Sequence, residues 1–166
     1  MSFKGLKRKF SFVFINHFFK GTRFFELKRK LLNFAGYKIG ENTKIVGPIF
    51  ITSNLEIGSN CWIGRNFSCE GNGKVIIGNN CDIAPNVTFL TGGHKIGNKK
   101  RRAGQGEVYS INVENAVWIG ANSTIGRNIN IGASSVIAAC SCVMKDVDEN
   151  ILIGGVPAKK IRCLDD

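Results

Sequence analysis

Histidines, acidic residues and long apolar runs are all scarce in this chain of 166 residues. Only two histidines occur, which argues against a zinc site built on three of them. The longest uncharged run near the start, residues 10–19, is too short to span a bilayer and contains Asn16 and His17. No small-residue cleavage site follows that run, so we do not expect a signal peptide. The length fits a single domain.

Acidic residues are outnumbered by basic ones, and the imbalance is local. The chain carries a net charge of +11, of which residues 1–38 contribute +9 because Glu26 is their only acid. The same segment holds nine of the twelve Phe residues. Two sets of apolar residues there follow helical spacing: Leu6, Phe10, Val13, Phe14 and Phe18, then Phe24, Leu27, Leu31, Leu32 and Ala35. Two readings stay open, a helical cap on the fold and contact with an anionic membrane surface. No base-reading motif accompanies the charge, so nucleic acid is not expected as a partner.

An apolar residue recurs every sixth position through most of the remaining chain. No α-helix holds this period, which is typical of a parallel β-helix in which three hexads close one triangular coil. The residue two places earlier also points inward and is small, and Asn at the corners tolerates a left-handed backbone. The repeated apolar positions are 39, 45, 51, 57, 63, 69, 75, 77, 83, 89, 113, 119, 125, 131, 137 and 143. The corner Asn residues are expected at 42, 54, 60, 66, 80, 86, 122 and 128.

Six cysteines are present, but none of their spacings suggests a zinc site. Cys61, Cys69 and Cys81 occupy inward hexad positions, where the thiol acts as a small hydrophobe. Cys140 and Cys142 are expected at a corner rather than as a redox pair. Reduced thiols favour a cytoplasmic protein, with the inner face of the membrane as a further position that the basic segment would allow.

Three segments resemble the hexapeptide-repeat acyltransferase superfamily, and specifically its sugar and polysaccharide O-acetyltransferases. They are VWIGAN at 117–122, VMKDV at 143–147 and GGVPAKKIR at 154–162. The resemblance implies an all-β, left-handed parallel β-helix over residues 39–162. From its own composition, the segment of residues 1–38 is predicted as a basic, Phe-rich helical cap. It also implies a homotrimer, with acetyl-coenzyme A bound as co-substrate between neighbouring subunits and no metal.

The hexad pattern breaks at about residues 91–112, and this excursion contains His94. A long break in a regular solenoid is most often functional. In the family that the chain resembles, a His at the root of this loop is the general base, which makes His94 the catalytic candidate. An imidazole ordinarily titrates at about pH 6.5, so it can take the proton of an attacking hydroxyl. His17 lies among Phe residues and is expected to be structural.

Two residues are candidates for binding the acceptor. Related sugar acetyltransferases carry Asn at the corner where this chain has Glu70, and the carboxylate could accept sugar hydroxyls or orient His94. A solvated corner acid is the alternative. Asn86 is either an ordinary corner residue or part of the site lining.

Cofactor contacts follow from the same resemblance. Ala121 and Ala139 would offer backbone groups to the pantetheine arm, and Trp118 would wall the acetyl pocket. Met144 and Lys145 would follow along the groove, while Lys159 and Arg162 occupy basic positions near the ribose phosphate. Met144 departs from the Thr that is usual there.

The function expected from these features is acetyl-coenzyme A-dependent O-acetylation of a saccharide, in surface polysaccharide or exopolysaccharide biosynthesis. An acetyltransferase for a small acceptor such as a free sugar, serine or an antibiotic is a second reading. A non-catalytic β-helix scaffold is a third, because this fold also serves as a passive module.

Overall fold

The computed structural model describes residues 3–165 and begins with a helical segment. Helix α1 spans Phe3–Val13, a π-helical turn spans Phe14–Phe18, and helix α2 spans Phe25–Phe34. Met1 and Ser2 of the predicted basic cap lie outside the described residues. Within residues 3–165, no helix combines the length and apolarity needed to cross a bilayer.

Short strands make up the rest of the described chain. The first nine are β1 Lys38–Ile39, β2 Lys44–Ile45, β3 Ile49–Ile51, β4 Asn54–Ile57, β5 Trp62–Ile63, β6 Phe67–Glu70, β7 Lys74–Ile77, β8 Asp82–Ile83 and β9 Thr88–Leu90. A hairpin of β10 Gly92–Ile96 and β11 Ala103–Val108 interrupts them. The series resumes with β12 Ser110–Val113, β13 Trp118–Ile119, β14 Thr124–Gly126, β15 Ile129–Ile131, β16 Val136–Ile137, β17 Cys142–Val143, β18 Ile151–Gly155 and β19 Ala158–Cys163.

Three sheets run along the fold, and each takes one strand from every coil. Their strand orders are β1-β4-β7-β12-β15, β3-β6-β9-β14-β17 and β2-β5-β8-β13-β16-β18-β19. All the pairings are parallel except that of the last strand, β19, which runs antiparallel to β18. Ile39 pairs with Ile57, so one coil takes three hexads. The predicted parallel β-helix is confirmed.

Every apolar position of the predicted hexad series is buried in one continuous core. The small inward residues are buried as well, including Thr43, Ser123 and Ser135, and Cys61 and Cys81 occupy the same kind of position. Their polar atoms are satisfied by the backbone: the Thr43 hydroxyl donates to the Gly58 carbonyl at 2.7 Å. The inward-facing pattern is therefore read correctly from the sequence.

The predicted Asn corners are right at six positions and wrong at two. The backbone is left-handed, with positive φ, at Asn42, Asn60, Asn66, Asn80, Asn86 and Asn122. Asn54 instead opens strand β4. At the other exception the turn shifts by one residue: Arg127 takes the positive φ, and the Asn128 side chain accepts the Ser110 backbone N–H at 2.8 Å.

The helical segment covers the open edges of the first coil. The Asn16 amide exchanges two hydrogen bonds with the backbone of Ile49, at 2.8 and 2.9 Å. Asn33 does the same for Ile39, at 3.1 and 2.8 Å. Each amide thus mimics a neighbouring strand, and exposed strand edges are satisfied in this way. Buried Ile15 joins the helical segment to the core.

Only the end of the apolar spacing predicted along this segment faces the β-helix, where Leu32 and Ala35 are buried in the core. Leu6, Phe10 and Val13 are exposed, and so are Phe18 and Leu27. Ser11 takes the inward position instead, and its hydroxyl donates to the Leu31 carbonyl at 2.8 Å. The exposed side chains form an uncovered apolar stripe on the outer surface of the subunit, made of Phe3, Leu6, Phe10, Val13, Phe18, Phe24 and Leu27.

Candidate active site

The break in the hexad series is a β-hairpin that projects from the β-helix, and His94 lies in its first strand. His94 pairs across the hairpin with Gly106. The imidazole is exposed rather than buried within the core. Because the adjoining Gly92 and Gly93 carry no side chains, the approach to the ring is open.

A backbone carbonyl fixes the tautomer of His94. Nδ1 lies 2.9 Å from the carbonyl oxygen of Gly104. That oxygen only accepts hydrogen bonds, so Nδ1 carries the proton and the neutral ring keeps its lone pair on Nε2. An imidazole held in this way is set up to accept a proton at Nε2.

Thr91 fastens the base of the hairpin to the β-helix. Its buried hydroxyl donates to the Glu70 carbonyl at 2.9 Å and accepts the Gly73 backbone N–H at 3.1 Å. The Ser53 hydroxyl lies 2.9 Å from the same oxygen. The two strands meet there, because the Tyr109 N–H donates to the Thr91 carbonyl at 2.8 Å. A single side chain therefore sets where the hairpin leaves the fold.

Glu70 and His94 line the same cavity, which has a volume of about 570 Å³. Glu70 ends strand β6, and its carboxylate accepts a hydrogen bond from the Ser68 hydroxyl at 2.8 Å. Glycines and Leu90 form much of the remaining wall. The structure thus brings the predicted base and one predicted acceptor residue together.

Asn86 lies outside this cavity, in a ladder of corner side chains. Its carbonyl oxygen accepts from the Asn66 amide at 2.8 Å, and its own amide donates to Asn122 at 2.9 Å. Both the carbonyl oxygen and the amide nitrogen of Asn86 are therefore hydrogen-bonded to neighbouring corner residues.

The predicted pantetheine residues lie on successive coils. The Cys140 N–H donates to the Ala121 carbonyl at 2.8 Å, which places Ala121 and Ala139 on the same corner one coil apart. That carbonyl already has a partner within the fold. Trp118 is 55% exposed and points away from the core.

A second cavity, of about 320 Å³, lies at the C-terminal end of the β-helix. Met144, Lys145 and Lys159 line it together, joined by Lys160, which the sequence analysis did not single out. Arg162 is outside this lining, and its guanidinium donates to the Cys163 carbonyl at 3.2 Å. Three of the predicted cofactor residues therefore share one recess. Among residues 3–165, no group of His, Cys, Asp and Glu side chains is arranged to hold a metal ion.

Glu107 and Tyr109 were missed by the sequence reasoning. Glu107 lines the His94 cavity, and the Tyr109 hydroxyl donates to its carboxylate at 3.1 Å. Partial burial raises the pKa of Tyr109, and this hydrogen bond raises it further. Glu107 pairs with Gly93 and His94 with Gly106, so the Glu107 and Tyr109 side chains lie on the face of the hairpin opposite to the imidazole. The hexad pattern carries no signal for that pairing.

Comparisons with known proteins agree with this fold. The chain is 35% identical over 143 residues to galactoside O-acetyltransferase of Escherichia coli K12, which covers 85% of this chain and 70% of that protein. The chain belongs to the hexapeptide-repeat acetyltransferases. It is therefore an acyltransferase, and the resemblance stated from the sequence is confirmed. No family model matches the chain.

Two further relatives extend the comparison for this acetyltransferase. A hexapeptide-repeat acetyltransferase from Vibrio cholerae superposes with a TM-score of 0.83 at 27% identity, covering 100% of this chain and 95% of that one. A protein of that description was also solved with acetyl-coenzyme A. An Escherichia coli K12 protein provisionally named for colanic acid biosynthesis is 27% identical over 139 residues, covering 80% of this chain and 72% of that protein.

Proposed function

We propose that this protein transfers the acetyl group of acetyl-coenzyme A to a hydroxyl of a saccharide. The observation that carries the proposal is the His94 imidazole, whose Nδ1–H is tied to the Gly104 carbonyl and which opens into the cavity of Glu70. Similarity to the galactoside O-acetyltransferase supports the class of acceptor. The provisional name of the colanic acid relative supports a role in polysaccharide biosynthesis.

The reaction needs one base and one good leaving group. Nε2 of His94 takes the proton of the acceptor hydroxyl as its oxygen attacks the thioester carbonyl carbon. The C–S bond then breaks, and the departing thiolate receives the proton from the imidazolium. General-base help of this kind supplies about a hundred- to ten-thousand-fold, so positioning of both substrates supplies much of the remaining acceleration.

The co-substrate would lie along the corner of Ala121 and Ala139 and reach the recess of Lys145 and Lys159. Three lysines and two aspartates line this recess. The excess of positive charge suits the phosphates of coenzyme A, because ammonium groups bind phosphate as compact point charges. We further propose that the active unit is a homotrimer in which each groove is closed by a neighbouring subunit. Light scattering on the purified protein would test the trimer, and a monomeric active enzyme would contradict it.

The assay that tests the proposed function measures thiol release from acetyl-coenzyme A with and without glycans. We expect release to depend on the acceptor, and nuclear magnetic resonance of the product to show one acetylated hydroxyl. Release that is absent with every saccharide would favour the scaffold reading. Release that rises only with serine or another small non-sugar acceptor would favour the second enzymatic reading.

We also propose that the uncovered apolar stripe rests on an anionic membrane surface, close to lipid-linked glycans. Phe3, Phe18 and Phe24 are 74%, 68% and 58% exposed, and the surrounding segment carries most of the positive charge. The Lys7 ammonium lies 4.6 Å from the ring centroids of both Phe3 and Phe34. Apolar rings combined with cations favour a bilayer that contains acidic lipids.

Vesicle sedimentation tests this contact. The full-length protein should pellet with phosphatidylglycerol-containing vesicles and much less with phosphatidylcholine alone. The double change Phe18→Ser and Phe24→Ser should weaken binding about tenfold or more, since each change removes an aromatic side chain from the apolar face. Val156→Ser, which alters an equally exposed apolar residue elsewhere, should not. If the double variant changes the oligomeric state and leaves vesicle binding intact, the stripe is a contact between subunits.

A further inference from the structure

A cavity of about 520 Å³ lies between the helical segment and the first coils of the β-helix. Residues 20–22 of the helical segment form one wall, and residues 46–48 form another together with the corner of Gly64 and Arg65. The volume is within the range of small-molecule sites. None of the residues assigned above to the base, the acceptor or the co-substrate lines this cavity. It therefore needs an explanation of its own.

The wall formed by residues 20–22 is held in place by the rest of the fold. Gly21 forms a β-bridge with Gly47, which lies on the first coil. The ammonium group of Lys28, a fully buried residue, donates to the Gly21 carbonyl at 2.6 Å. The segment also packs closely on the coil, because a methyl group added at Gly47 would lie 2.8 Å from the Ile15 carbonyl oxygen. Both walls of the cavity are thus fixed by backbone contacts.

Trp62 supplies a flat aromatic surface to the cavity. It precedes buried Ile63 in β5, so its indole stands on the outer face of the sheet. The Phe25 ring meets the indole at 61°, with the ring centroids 5.7 Å apart, and Lys28 Nζ lies 4.9 Å from the Phe25 centroid. The indole is therefore held by its neighbours but only half-buried. A surface of this kind can stack against the apolar face of a sugar ring.

The cavity is basic on both sides. Lys20 lies on the wall of the helical segment and Arg65 on the corner of the β-helix, while the described lining contains neither Asp nor Glu. Within residues 3–165, neither basic side chain donates a hydrogen bond or joins an ion pair. Asp82, which pairs with Trp62 one coil further on, lines the neighbouring cavity instead. Two long side chains without partners can turn toward a bound phosphate, and the guanidinium group matches its geometry.

We propose that this cavity binds a saccharide that carries a phosphate group, with the sugar ring against Trp62 and the phosphate between Lys20 and Arg65. The hydroxyl of Thr22 in the same lining adds a partner for a sugar hydroxyl. A glycan joined to its carrier through phosphate presents both groups. The proposal goes beyond the acetyl transfer and does not rest on it, because binding here needs neither His94 nor acetyl-coenzyme A.

Isothermal titration calorimetry on the full-length protein, without acetyl-coenzyme A, tests the site. Glucose 1-phosphate should bind at least about tenfold more tightly than glucose or inorganic phosphate, because only the ester offers both groups. Arg65→Gln should weaken binding of glucose 1-phosphate about tenfold, since a charge-assisted hydrogen bond is lost. Trp62→Leu should weaken glucose 1-phosphate by a similar factor but leave the weak binding of inorganic phosphate unchanged.

Lys99→Gln serves as the matched control, because Lys99 is an exposed cation in the hairpin turn and does not line the cavity. It should bind glucose 1-phosphate as the wild type does. Circular dichroism checks that each variant is folded. If Trp62→Leu unfolds because Phe25 loses its neighbour, Arg65→Gln still decides, since its exposed side chain has no partner to lose.

Two results would overturn the proposal. One is a glucose 1-phosphate affinity no higher than that of glucose, or one that stays within twofold of wild type when Lys20 and Arg65 are both changed to Gln. The other is tighter binding of uridine monophosphate than of glucose 1-phosphate, which would put a nucleobase rather than a sugar on Trp62. Either result would leave the proposed acetyl transfer standing, and a failed acetyl-transfer assay would leave the binding result standing.

Discussion

Replacing Thr91 by Val keeps the shape of the side chain and removes the hydroxyl that fastens the catalytic hairpin. The Gly73 N–H donates to this oxygen, and the Ser53 hydroxyl must do so too because the Thr91 hydroxyl donates to the Glu70 carbonyl. Both donors are buried, so no water replaces the lost acceptor. The Glu70 carbonyl keeps a partner in the Thr91 N–H, at 2.7 Å.

The cost follows from these two orphaned donors. A buried group left without its hydrogen bond costs about 1–3 kcal/mol, so the two donors together should destabilise the fold by about 2–6 kcal/mol in Thr91→Val. For a chain of this size that corresponds to a fall in Tm of roughly 5–25 °C. Thr91→Ser keeps the oxygen and loses one methyl group, which costs about 1 kcal/mol.

Thermal unfolding followed by circular dichroism, with kcat/KM measured on the same preparations, checks this reasoning. Thr91→Val should be much less active than the wild type even at temperatures well below its Tm, because the hairpin that holds His94 is no longer fastened to the β-helix. Thr91→Ser should keep most of the activity. A Val variant as stable as the Ser variant would refute the argument that this hydroxyl fastens the hairpin.

Three further predictions follow from other parts of the fold. Gly97→Ala should lower kcat/KM more than tenfold with little change in Tm, because the added methyl would clash with the Arg101 carbonyl oxygen in the exposed hairpin; a fully active variant would contradict this. Desolvation lowers the pKa of Lys28 from 10.5 to about 8, so the unfolded chain binds this proton more tightly. The free energy of unfolding should therefore rise with pH between about 8 and 10.5. The increase in Tm from pH 7.5 to 9.5 should be smaller in Lys28→Met than in the wild type. An equal increase would count against a lowered Lys28 pKa. Changing Lys145 and Lys159 together to Ala should raise the KM for acetyl-coenzyme A several-fold at nearly constant kcat, and an unchanged KM would remove them from the cofactor groove.

The repeating part of the fold could be predicted because one physical requirement recurs at every coil. An inward position must be apolar or small, so Ile39 and Ile57 report the same environment, and the period alone fixes which side chains stack. Corners were less secure, since Arg127 takes the left-handed turn that the spacing assigned to Asn128. The Asn128 side chain instead accepts a hydrogen bond from the Ser110 backbone N–H on the neighbouring coil.

The site could be predicted only in part. Position in the broken repeat together with the family resemblance pointed to His94, the resemblance pointed to Glu70, and the two line one cavity. The contact of Gly104 with His94 depends on how the hairpin strands pair, and pairing within a single irregular excursion has no repeated pattern to reveal it. The cap shows the same limit, because helical spacing did not distinguish the positions that pack on the core, such as Leu32 and Ala35, from those that stay exposed, such as Phe10.

The central claim is that the His94 imidazole removes the acceptor proton, and the two histidines of the chain allow a matched test. His94→Ala and His17→Ala each delete one imidazole from an exposed position. Initial rates of acceptor-dependent thiol release from acetyl-coenzyme A should fall at least a hundredfold in His94→Ala and stay at the wild-type level in His17→Ala. A His94→Ala enzyme that keeps the wild-type rate would contradict the account.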